Sequence, residues 1–336
     1  MPYLKNYIDL IDVEYDVINW DRLSIEDIKE FTYRDNKIGH QRNLLDYYKY
    51  YRFIIQILKG GNYDKVIVFG IQLTFFLQNV LINHFKGNYV IDIRDHHKLI
   101  NLMNWNTIKK YGRGIVVSSP GFLEWLPKGE KYYINHNTTI ESLKDLHPIV
   151  LNKNTDKKIR IANIGSFRDY KINIEFINSL KNSKTVILNY HGRGGYEESL
   201  RNLKDEKNIL NLNITGEYTK DIEESLYLKN DLINVLRHND GINNYTALPN
   251  RLYNSLVFGK PLISYQGTYL SEIINKYNLG LVINDFDLLE AQIVTYIYEF
   301  DDELFVKGRK LFFKKVIKDN KLFHEMISEF TNLNGN

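Results

Sequence analysis

The chain has 336 residues, 43% hydrophobic and 25% charged, with no cysteine and a formal net charge of +3. This is the composition of a folded globular protein, and it excludes disulfides, thiolate metal sites, cysteine nucleophiles and the concentrated basic footprint of a nucleic-acid binder. The length predicts two domains of ordinary size.

The N-terminus, PYLKNYIDLIDVEYD, is charged almost from its start and reads as no signal peptide. Residues 15–19 form the first β-rich run. Residues 44–58 follow as a helix, with Leu44, Tyr48, Tyr51, Ile55 and Leu58 at helical spacing, a stripe that belongs to a core. The most apolar window, 66–82, is interrupted by Gly70, Gln72, Thr74, Gln78 and Asn79. It reads as a strand over 65–69 and a buried helix over 72–85 rather than a membrane span. Further short β-rich runs lie at 89–93, 114–118 and 131–135, the kind buried in parallel sheets. After a polar stretch at 152–158 the alternation restarts, with strands expected at 160–164, 185–190, 209–213, 232–236, 261–265 and 280–283. Helices are expected at the end, around 303–331. Two βα domains joined near residues 150–158 account for this order.

The stretch from Leu236 to Ser264, LRHNDGINNYTALPNRLYNSLVFGKPLIS, reads as a polar loop, a proline-started helix, a glycine stop at Gly259 and an apolar strand after Pro261. Pro249 costs nothing at a first helical turn, whose N–H groups have no helical partners. Asn250, Arg251, Tyr253 and Asn254 crowd that helix start, where the N–H groups and the positive dipole end favour an anion such as phosphate.

PNRLYNSLVFGKPLIS resembles the donor-site segment in the C-terminal domain of glycosyltransferases with the GT-B fold. It is most similar to family-four enzymes and their relatives in bacterial capsular and exopolysaccharide synthesis. The resemblance implies an α/β architecture of two Rossmann-like, doubly wound βα domains facing each other across a cleft. Residues 1–152 would form the acceptor-side domain and 153–309 the donor-binding domain, with a helix at 310–336 packing back on the first. It also implies that the first strand of the N-terminal domain is missing. PYLKNYIDLI resembles the helix that follows that strand, and residues 15–22, YDVINWDR, resemble the second strand.

The same resemblance assigns a donor site. In RIANIGSFRDYK, Gly165 brings backbone close to the nucleotide while Arg168 and Lys171 hold its diphosphate, the leaving group whose charge fixed cations stabilise. Gly192 in YHGRGG and Gly216 in LNITG match glycine turns near the nucleobase. Many family-four enzymes carry two spaced glutamates beside the donor sugar and ribose. Aligned on Gly259, these positions hold Thr246 and Asn254, so neither carboxylate is kept, and Asn243, Asn244 and Tyr245 are the remaining candidates for sugar contacts. In IDIRDHH, Asp95 and His96 match a strand end facing the reacting sugar, and either suits a general base. Ser118–Phe122 and Asn135–Asn137 match later strand ends of the same cleft. Asp-x-Asp, the metal-binding signature of the other large glycosyltransferase fold, is absent near any predicted strand end, and Asp301-Asp302 reads as a helix start.

The implied activity is metal-independent, retaining transfer of a sugar from a nucleotide-sugar co-substrate to a lipid-linked or polysaccharide acceptor. No further cofactor is expected. The setting is cytoplasmic, with peripheral attachment to the inner membrane face and no nucleic acid. Two alternatives stay open on the same architecture: a catalytically silent subunit that binds sugar nucleotide or a partner transferase, and a sugar-nucleotide 2-epimerase.

Overall fold

The computed structural model describes residues 2–27, 29–39, 41–151, 153 and 157–332. Its contacts divide the chain into two compact units, Met1–His136 with Asp319–Asn336, and Asn137–Lys318. Asn152, the last residue of the expected first domain, and 333–336, the end of the expected 310–336 helix, lie outside the described residues.

In the first unit, β1 (Asn19–Trp20) and β2 (Thr32–Tyr33) pair only with each other. The main sheet is β3 (Val66–Phe69), β4 (Tyr89–Ile93), β5 (Gly114–Val117) and β6 (Tyr132–Ile134), parallel and in chain order. All five residues of β4 are buried, as expected of a strand covered on both faces. The helix Leu44–Gly60 starts at a capping box between Asn43 and Asp46, and the buried helix Ile71–His84 follows β3 directly. Tyr7, on the helix Pro2–Ile8, packs with Val90, Val116, Phe323 and Phe330 in this unit's core.

The strand expected at 15–19 is replaced by the two-residue β1. Val13, Tyr15 and Val17 are all exposed, so the alternation in this segment buries no face. The anchor is Trp20 instead. It lies 4.8 Å from Tyr50 and 5.5 Å from Tyr33, with the Arg22 guanidinium 4.6 Å over its ring.

In the second unit, β7 (Ile159–Ile164), β8 (Val186–His191), β9 (Leu212–Gly216), β10 (Leu232–Asn234), β11 (Leu262–Tyr265) and β12 (Gly280–Ile283) form a parallel sheet in the order β12-β11-β10-β7-β8-β9. The chain builds outward from β7 through β9, then crosses back to lay β10 on the other side of β7. The strand ends of β7 and β10 therefore diverge into a crevice, the switch point where doubly wound sheets bind ligands. Separate apolar clusters cover the sheet: Phe176, Leu188, Leu200 and Ile293 in one, Leu252, Leu256, Ile274 and Phe313 in the other.

β9 runs over Leu212–Gly216 rather than 209–213. Asn208, left-handed at φ 45°, turns the chain after the helix Glu197–Glu206, and Ile209 is spent as a buried plug against it. The last helix is one continuous rod, Asp302–Asn332, whose Phe305, Phe312 and Phe313 belong to the second unit's core and Phe323, Ile327 and Phe330 to the first's. At Gly308 this helix lies against the backbone of Tyr277, where an added Cβ would stand 1.6 Å from the carbonyl oxygen. Among the described residues no helix is long and apolar enough to cross a membrane.

Candidate functional site

The switch point of the second unit is closed by Arg251. From the first turn of the helix Asn250–Val257 its Nη1 donates to the Asn163 side chain of β7 at 2.7 Å and to the Asn234 carbonyl of β10 at 3.0 Å. Its Nη2 donates to the Ser166 carbonyl at 3.3 Å. One guanidinium thus ties the two diverging strand ends to the loop after β7. Burial pulls its pKa down, opposed by Tyr227, Tyr196 and Asp169, but an arginine stays cationic at neutral pH.

Below it lies a buried amide network. Asn173 Oδ1 accepts from Asn163, Asn234 and Tyr190, while Asn173 Nδ2 donates to the carbonyls of Arg168 and Asp169. The Tyr196 hydroxyl also donates to the Arg168 carbonyl, at 2.6 Å. The loop is therefore held by its backbone, which leaves the Arg168 side chain exposed beside exposed Lys171. Neither cation forms an ion pair among the described residues.

Three glycines end β7, β8 and β9 with positive φ: Gly165 at 101°, Gly192 at 131° and Gly216 at 78°. Gly165 N–H donates to the His191 carbonyl and Gly192 N–H to that of Gly216, so the ladder runs past the strand ends. The close approach is demanding, because a Cβ on Gly192 would lie 2.0 Å from the Gly165 carbonyl oxygen. At these three strand ends the glycines put backbone, with no Cβ, at the crevice.

His191, buried at the end of β8, has its Nδ1 2.9 Å from the Thr215 hydroxyl. Burial, and then the charge of Lys229, depress its pKa below the ordinary 6.5. The unfolded chain takes up this proton first as pH falls, so the neutral ring stabilises the fold above about 6.5 and that contribution is lost on acidification through the depressed folded-state value. Urea unfolding at pH 7.5 and 5.5 should show a smaller acid loss for His191→Gln than for the unmodified protein; equal losses would remove His191 as the cause.

Residues 236–249 differ from the expected polar loop. A short helix, Ile242–Thr246, interrupts them, and from it Asn244 donates to Asp169 at 2.8 Å. Asn243 and Asn244 are thereby brought to the loop of Arg168. Pro249 is the N-cap residue of the helix Asn250–Val257 and makes no side-chain cap bond. Asn250 is exposed at its start. Tyr253 is corrected: it is fully buried and stacked 6.0 Å from Phe312, a core residue rather than a ligand contact.

Asn254 does stand near a carboxylate, though not one of its own segment. Its Nδ2 donates to Glu223 Oε1 at 3.4 Å, and the Tyr218 hydroxyl donates to the same oxygen at 3.3 Å. Burial, with the Glu223 charge, pushes Tyr218 up to about 12. Glu223 and, after β10, Arg237 stand at the candidate site and are missed by sequence reasoning. The only signals are an acidic first turn on the helix Glu223–Leu228 and an arginine just past a buried strand.

In the first unit, β4 ends in Asp92, Arg94, Asp95 and His96. Asp92 is fully buried and accepts from Tyr7 at 2.5 Å and from Arg94 Nε and Nη2 at 2.6 and 2.7 Å. Asp95 is exposed, and His96 stands edge-on to Trp125 at 5.0 Å, its pKa lowered by burial and by His97. After β6, His136 is buried with its Nε2 3.1 Å from Asp319. Among the described residues no three His, Asp or Glu side chains gather as metal ligands would.

The sequence matches no family model and no curated protein. Its fold matches solved structures. Anabaena HepE in complex with UDP and glucose is 13% identical, with 89% of this chain and 85% of that chain covered and a TM-score of 0.62. Sucrose-phosphate synthase from Thermosynechococcus elongatus is 12% identical over 90% of this chain and 82% of its own, at 0.61. WaaG, a glycosyltransferase involved in lipopolysaccharide biosynthesis, is 13% identical over 92% and 89%, at 0.54. The fold is α/β, with the Rossmann-like domains of the GT-B class.

Proposed function

We propose that the chain is a glycosyltransferase that moves a sugar from a nucleotide-sugar donor to a lipid-linked or polysaccharide acceptor in the synthesis of bacterial surface polysaccharide. The observation that carries this reading is the switch point of the second unit. There, Arg168 on the loop after β7 and Lys171 at the start of the helix Tyr170–Leu180 are exposed and, among the described residues, without an ion pair, on backbone fixed by Arg251 and the buried asparagines. That is an arrangement for an anion that arrives from solvent. The UDP bound in HepE supports the choice of a nucleoside diphosphate.

In this reading the bond between the sugar's anomeric carbon and the diphosphate breaks, and a new bond forms from that carbon to an acceptor hydroxyl. Arg168 and Lys171 stabilise the charge that gathers on the departing diphosphate, aided by the start of the helix Asn250–Val257. Glu223 with Asn254 accepts from nucleoside hydroxyls. Asp95 and His96 face the transferred sugar. Retention fits a reaction in which the departing phosphate oxygen itself receives the acceptor's proton, so the chemistry needs leaving-group stabilisation more than a separate base. We take the enzyme to work without a metal ion, at the inner face of the cytoplasmic membrane.

Thermal unfolding with a panel of nucleoside diphosphates and nucleotide sugars tests this. A ligand at a hundredfold its Kd stabilises the fold by about 2.7 kcal/mol. One diphosphate should raise the midpoint of the unmodified protein and fail to raise that of Arg168→Ala/Lys171→Ala. A panel without any effect on the unmodified protein would overturn the proposal.

A further inference from the structure

Arg237 leaves β10 three residues beyond Asn234, and it is held differently from its neighbour Arg251. Arg251 finds three acceptors in the protein. For Arg237 the structure gives one, the Ala247 carbonyl at 3.2 Å from Nη1. Its Nε is shielded from solvent and has no acceptor among the described residues. Buried donors almost always find a partner, and one left over at a ligand crevice is a place for a ligand atom. Charge points the same way. Burial, together with Arg251 and Arg168, lowers the Arg237 pKa to about 10, and Asp169 alone opposes them. That carboxylate already accepts from Asn244. Arg237 thus shares Asp169 with Arg251 and with the Asn244 amide rather than holding a carboxylate of its own.

We infer that Arg237 is a further phosphate-binding residue, donating from the loop after β10 to the diphosphate that Arg168 meets from the loop after β7 and Lys171 from the helix start that follows it. This rests on the nucleotide-sugar reading and adds a consequence for selectivity. Cationic arms on both sides of the switch point suit two linked phosphates, so the site prefers a nucleoside diphosphate to the corresponding monophosphate. A guanidinium serving structure alone would give no such preference.

Titration calorimetry with UDP, UMP, GDP, GMP and inorganic pyrophosphate tests it on the unmodified protein, Arg237→Gln, Arg237→Lys and Arg168→Ala/Lys171→Ala. Arg237→Gln keeps a donor for Ala247 without the charge. It should weaken the preferred diphosphate roughly 10- to 100-fold, and the monophosphate much less. Arg237→Lys should recover part of the loss. Unchanged diphosphate affinity in Arg237→Gln, alongside loss in the double variant, overturns this inference and leaves the donor-site reading standing. Parallel loss of mono- and diphosphate in Arg237→Gln, with no recovery in Arg237→Lys, makes the residue structural and also overturns it. No binding of any probe to the unmodified protein overturns both.

Discussion

Gly192→Ala will cost the protein more than about 4 kcal/mol of stability, the range reserved for broken special geometry, and will abolish nucleotide binding. The new Cβ would sit 2.0 Å from the Gly165 oxygen and 2.8 Å from its carbonyl carbon, at a φ of 131° that alanine avoids. Backbone cannot swing aside as a side chain does. The loops after β7 and β8 would have to part, breaking the bonds from Gly165 N–H to His191 and from Gly192 N–H to Gly216. Gly195→Ala is the control, since no atom lies within 4 Å of its added Cβ and its φ is not positive. It should stay within about 0.5 kcal/mol of the unmodified protein. Urea unfolding and nucleotide titration of the two variants give the comparison, and equal behaviour would refute the close packing of these loops.

Asp92→Ala carries the second large effect, a loss of about 3–5 kcal/mol, because it leaves the positive partner of a buried pair without its carboxylate. Asp92 takes two hydrogen bonds from Arg94 and one from Tyr7, and it is inaccessible to water that might stand in for it. Asp92→Asn should lose less, since it keeps an acceptor oxygen. A double-mutant cycle with Arg94→Ala isolates the pair, and the double variant should be more stable than the sum of the two single losses implies. A cost under about 1 kcal/mol for Asp92→Ala would mean that the network does not support the end of β4. Asp95 and His96 follow that strand end, so their placement depends on it.

What the sequence makes legible here is local. Pro249, Gly259 and Pro261 punctuate one helix and one strand, and the structure puts the helix at Asn250–Val257 and the strand at Leu262–Tyr265. The run at 280–283 is equally plain, since parallel strands read as unbroken apolar segments, and that at 89–93 is interrupted only by Asp92. The segment 15–19 misleads because alternation shows that a strand is possible, not that a neighbour is there to pair with it. Tyr253 misleads because a helix start has two faces, and side-chain type does not say which one meets the crevice. The supports of the site are invisible for a different reason. Asn163, Asn173 and Asn234 meet across about seventy positions, and Glu223 reaches Asn254 from another helix. Each is a single polar residue in an otherwise ordinary element, and only the sheet order brings them together.

That sheet order also sets an order in time. As the chain emerges from the ribosome, β7, β8 and β9 can pair as they appear, each beside the one before. The crevice cannot form with them, because its other wall is β10, which returns to β7 only after β9 is laid down. Arg251, which joins the two walls, arrives later still. A nascent chain that stops short of it has half a sheet with an open flank along β7 and nothing that resembles the finished site. On the proposed reading, the capacity to hold an anion is acquired in one late step of synthesis, when most of the unit is already in place.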